Sequence, residues 1–104
     1  MRTIESICQN FNIENKEHIL FSNDTYKYEG IIKNDTLLLK RIITNSSIQY
    51  FELYVVYDNL YITVKFNSLK SLVLMYTYLT KNDYSKVIEL SNIPEIIEFH
   101  IESL

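Results

Sequence analysis

Few side chains in this sequence could do covalent or acid–base chemistry: one cysteine, Cys8, and two histidines, His18 and His100. A cysteine beside a histidine is the minimal activated nucleophile. Cys8, however, recurs with Ile4, Ile7 and Phe11 at i, i+3, i+4, i+7 spacing, the apolar stripe of a short helix, where a free thiol is a packing group. A metal site would have to gather Cys8, His18, His100 and an acid from distant segments, with none of the short ligand spacings that mark zinc sites. Phosphate-cradling loops need several glycines, and the single glycine, Gly30, falls inside a strand pattern. No catalytic residue, metal or cofactor is expected.

The carboxylates have simpler explanations than catalysis. Glu29, Lys40, Glu52 and Lys65 can form one alternating-charge row across four strands, each opposite pair contributing about 0.2–1 kcal/mol. Glu95, Glu98 and Glu102 line one side of the C-terminal segment, either as a solvated face or as an acidic strip that meets a partner. Arg41 is the odd residue of the sheet. It falls between Tyr28 and Phe51 on the inner face, where its guanidinium can lie over the rings and reach water, or anchor a ligand.

Nine tyrosines are the strongest positive signal. Tyr50, Tyr54 and Tyr61 share the outer sheet face with Ile31, Leu38, Ile42, Ile48 and Val56. Such a face either docks a partner, as tyrosine-rich surfaces do, or lies under one of the chain's own helices as a second core. The expected partner-binding set is Tyr50, Glu52, Tyr54, Tyr61, Leu38, Ile31, Glu95 and Glu98.

An antiparallel meander must position these residues. Gln49 to Tyr57 and Leu60 to Phe66 alternate around Asp58-Asn59, a two-residue turn that tolerates positive φ. Thr25 to Lys33 and Thr36 to Thr44 do the same around Asn34-Asp35. These turns dictate two registers: Tyr57 opposite Leu60, and Lys33 opposite Thr36. A loop at Asn45-Ser46-Ser47 joins the hairpins, and pairing Leu39 with Leu53 brings Lys40 to Glu52. Gly30, opposite Leu39, makes room for that side chain or marks a bulge. His18 to Phe21 reads as an edge strand.

Thr3 caps the first helix, and Asn67 or Ser68 caps another that runs to about Thr80. The second helix is apolar almost all round, so it is buried on more than one side or meets a partner. Tyr84 to Leu90 reads as a short helix. Pro94 and Glu95 then open a helical face of Ile96, Ile97, His100, Ile101 and Leu104, although Ile97, Phe99 and Ile101 also alternate as a strand. The expectation is one α+β domain over residues 1–104, ordered α-β-β-β-β-α-α, with four strands or five.

A chain of 104 residues supports one core. The longest apolar stretch is too short to span a bilayer, and the N-terminus lacks a signal-peptide core, so a cytoplasmic protein without membrane contact is expected. One cysteine agrees with a reducing compartment. A net charge of -3 with dispersed acids disfavours direct nucleic-acid binding. A single Gly, a single Pro and no Trp, with abundant Ile, Asn, Lys and Tyr, suit an AT-rich genome or a mobile island. Together these traits point to a small acidic inhibitor that binds another protein. Immunity proteins facing a bacterial toxin, such as a basic nuclease, and phage inhibitors of host defence are the kinds that fit. A homodimeric secretion chaperone or adaptor is the alternative, and an enzyme comes last.

Overall fold

A computed structural model describes residues 2–44, 47 and 49–104. Asn45 and Ser46 of the expected loop, and Ile48 of the expected outer face, lie outside the described residues. The elements are α1 (Ile4–Asn10), β1 (His18–Ser22), β2 (Tyr26–Lys33), β3 (Thr36–Ile43), β4 (Tyr50–Tyr57), β5 (Leu60–Phe66), α2 (Leu69–Thr80), α3 (Lys86–Glu89) and β6 (Ile96–Ser103). Among the described residues, six strands form one antiparallel sheet in sequence order, with α1 on one face and α2 on the other.

Both tight turns form where expected. Asn34 (φ 51°), Asp35 (φ 62°), Asp58 (φ 48°) and Asn59 (φ 61°) all adopt the left-handed conformation that twists a two-residue hairpin correctly. Gly30 faces Leu39, and a Cβ there would sit 2.7 Å from the Leu38 carbonyl oxygen and 3.0 Å from Leu39 Cδ1. The absence of a side chain is therefore a packing requirement. Thr3 caps α1 through a reciprocal pair with Ser6, and Ser68 caps α2 by accepting from the Ser71 N–H.

Three expectations need correction. Among the described residues the sheet has six strands, not four or five: the edge strand expected at His18 forms as His18–Ser22, and the C-terminal segment, which suited helix and strand alike, is a strand. The order is thus α-β-β-β-β-β-α-α-β. Residues 96–103 satisfy both periodicities, so the available partner decides. As β6 the segment covers the otherwise open side of β5, setting Ile101 against Ile62, Phe99 against Val64 and Glu98 against Lys65. The expected helix from Tyr84 to Leu90 shrinks to the single turn α3.

The third correction concerns the register between β3 and β4. Leu39 pairs with Tyr54, Leu38 with Val55 and Arg41 with Glu52, one residue away from the expected alignment. A one-residue slip exchanges faces. Here it rotates the second hairpin relative to the first and sets Arg41 opposite a carboxylate in place of Phe51. The expected charge row divides accordingly. Glu29 and Lys40 pair on the α2 face at 2.7 Å, while Arg41, Glu52, Lys65 and Glu98 make a new row on the α1 face.

Two cores result. Under α2 lie Leu38, Leu53, Val55, Ile62, Val64 and Phe66, closed by Leu72, Met75, Tyr76 and Leu79. Under α1 lie Tyr28, Leu37, Leu39, Tyr54, Val56 and Tyr61, closed by Ile7 and Cys8.

Candidate functional site

The proposed tyrosine surface is largely interior. Tyr54 and Tyr61 are 5% and 6% exposed, and Leu38 is fully buried on the opposite face, beneath α2. Ile31, directly opposite Leu38, lies half-buried on that same α2 side. Tyr50 remains at the surface, with Lys65 Nζ 5.1 Å from its ring centre. Glu95 and Glu98 are exposed, and Glu98 pairs with Lys65 at 3.4 Å. The eight residues are thus spread over both faces and the interior, and form no common surface.

Glu52 has a different task from the one expected. Its carboxylate is buried and bound to Arg41, whose Nη2 lies 2.6 Å and whose Nε lies 2.9 Å from Oε1. The Tyr54 hydroxyl donates to Oε2 at 3.0 Å. Burial first, and then the neighbouring Glu52 charge, pushes the Tyr54 phenol well above its ordinary range, so it stays a donor. The Arg41 guanidinium also lies over Phe11 (4.9 Å) and Tyr54 (5.4 Å). Phe11 follows α1, so this cluster clamps the helix to the sheet. Arg41 is a structural cation, with Nε and Nη2 both committed to Glu52.

The reactive residues are separated. Cys8 is wholly buried in the α1 core, and burial pushes its thiol above the usual value, away from the nucleophilic thiolate. His18 and His100 sit on β1 and β6, the two sheet edges. Five strand spacings of about 4.8 Å place them roughly 24 Å apart, too far to share an ion. A groove of mixed lining crosses the hairpin tips, with Arg2, Glu5, Asp35, Asp58 and Asn59 among its polar residues. Its Asp and Asn residues are those that the two turns require.

The outer side of α2 is the feature that packing leaves unexplained. Leu69 (44% exposed), Val73 (38%), Leu74 (60%) and Tyr78 (43%) form two i,i+4 pairs turned away from the sheet. Beside them an apolar groove of ≈ 270 Å³ runs between α2 and the segment after α3, where Leu90 and Ile93 meet Leu74, Met75 and Tyr78, with Glu95 on the rim. Lys70 and Lys81 bracket the stripe at the two ends of the helix. The arrangement offers an apolar ridge and slot with charged margins, suited to contact with another macromolecule. None of these α2 residues was among the expected contact set. The signal was present in the helix being apolar almost all round.

Among the described residues, no helix is long and apolar enough to cross a membrane. Comparison with protein families, with characterised proteins and with solved structures finds no match to this chain.

Proposed function

We propose that the chain is a small non-enzymatic inhibitor that binds another protein, acting in the cytoplasm as an immunity protein against a toxin or a phage inhibitor against a host defence protein. One observation carries this reading: the α2 stripe and its adjoining groove leave large apolar side chains in water although the chain already has two filled cores. Size and an acidic balance fit such a role. The contact centres on Leu74 and Tyr78, with Lys70, Lys81 and Glu95 as the charged groups at its margins. Glu52 takes no part, being held by Arg41.

The test is co-expression with the product of the adjacent gene, followed by co-purification and, where that product is toxic, measurement of rescue. Leu74→Asp and Tyr78→Asp should abolish both binding and rescue, while Leu20→Ser on the distant β1 edge leaves them unchanged. Equal binding by all three proteins would overturn the proposed contact face. A neighbour that is an ordinary housekeeping enzyme, with no toxin or defence locus nearby, would overturn the inhibitor reading. The same apolar slot also favours a second reading, a chaperone that holds an unfolded segment, for which a soluble peptide of that segment would bind in place of a folded partner.

A further inference from the structure

We infer that β6 is a self-association edge: two copies of the chain pair their β6 strands antiparallel about a two-fold axis at Ile101, joining their sheets into one. β6 spans eight residues, pairs on one side with β5, and contains no Pro, Gly or Lys; its two charges, Glu98 and Glu102, are paired within the chain to Lys65 and Arg2. The other edge, β1, is only five residues long.

The geometry selects the register. The Leu104 N–H donates to the Asn59 carbonyl at 2.9 Å, so the backbone of Leu104 points toward β5. Alternation along an antiparallel ladder then turns Glu98, His100 and Glu102 inward, and leaves the N–H and C=O of Phe99, Ile101 and Ser103 facing outward. Tyr57 opposite Leu60 at the tight turn gives the same phase, since β5 must bond β4 and β6 through alternate residues. A bulge at Lys65/Phe66 disturbs β6 before Glu98, so the regular outward row begins at Phe99.

Facing side chains must share a side of the joined sheet, so the axis can fall at Phe99, His100 or Ile101. At His100 it would oppose Glu98 and the partner's Glu102 twice, like charge against like. At Phe99 it would force the bulged Ile97 into the ladder. At Ile101 every outward group of Phe99, Ile101 and Ser103 is used, and His100 faces the partner's Glu102 on both sides of the axis. That register also brings Ile101, 41% exposed because α2 lies over β3 to β5, against the partner's Ile101. The edge is complementary to itself in this alignment.

Sedimentation of the full chain across a concentration series should report twice 12.4 kDa. Ile101→Pro deletes an outward N–H that β5 does not use, and should return the mass to that of one chain while the circular dichroism spectrum stays native. Ile101→Cys keeps the strand intact and should cross-link across the axis under oxidation, since paired Cα atoms about 5.5 Å apart suit a disulfide. Leu20→Cys on β1 should not. A monomer at every concentration would overturn the inference. So would a dimer that a folded Ile101→Pro variant retains, or one lost on Leu74→Asp and kept on Ile101→Pro, which places the contact on α2. Capture of the proposed toxin or effector through α2 is measured separately, and either result can fail without the other.

Discussion

The two faces of the sheet bury different side chains and hold their helices by different means. Under α2 the core is almost wholly aliphatic and aromatic, and its helix has apolar residues to spare on the far side. Under α1 a helix of seven residues covers tyrosines, a carboxylate and a guanidinium, and all of their polar groups are matched. An apolar face is held by area, which is not directional. A mixed face is held by geometry, which specifies a single alignment. The surplus on α2 is therefore available for a partner, whereas the tyrosines under α1 are consumed by the fold.

Substitutions should separate the two modes. Leu72→Ala, at a fully buried position under α2, should cost about 4 kcal/mol in urea unfolding, through lost transfer energy and a cavity. Glu52→Ala should cost less, about 2 kcal/mol, because it strands the charge of Arg41, whose side chain is 19% exposed. The double variant Arg41→Met, Glu52→Leu should recover most of that loss. If it does not, the ion pair itself holds the α1 face. Thr3→Ala should cost about 1 kcal/mol by uncapping α1, and should destabilise the protein without altering partner binding. Leu74→Asp should leave stability within about 0.5 kcal/mol, since its side chain is outside both cores.

Alkaline unfolding gives an independent reading of the α1 face. Burial pushes the Tyr61 phenol from an ordinary 10.0 up to about 12. The folded state thus keeps a proton that the unfolded chain releases. That contribution is complete below pH 10.0 and is lost as pH rises toward about 12. Tyr61→Phe should flatten the fall of the urea midpoint over this window. An unchanged slope would mean that Tyr61 ionises as readily folded as unfolded.

Much of the fold was legible because it is dictated locally. The Asn-Asp and Asp-Asn turns, the Thr3 and Ser68 caps and the room Gly30 makes for Leu39 each depend on a few neighbouring residues. The β3–β4 register was not, because six residues, 44–49, separate those strands where each hairpin has two. It is set by which long-range pairing satisfies Arg41, a competition that alternation alone does not resolve. The same holds for residues 96–103, whose pattern suits helix and strand alike until β5 offers an edge. The tyrosine face depends on the β3–β4 register: one residue out of step, alternation groups Tyr54 and Tyr61 with Leu38, whereas the true pairing sets them beside Leu39 under α1.

The seam between β3 and β4 also orders the route by which the chain reaches this structure. Each flanking hairpin closes over a two-residue turn, an event of about 1–10 μs in peptides. Docking one hairpin on the other must instead span the intervening loop and choose between alignments one step apart. The refolding transition state should therefore contain both hairpins and lack the seam. Glu52→Gln would then accelerate unfolding while scarcely slowing refolding, and a refolding rate that falls in proportion to stability would place the seam earlier on the pathway.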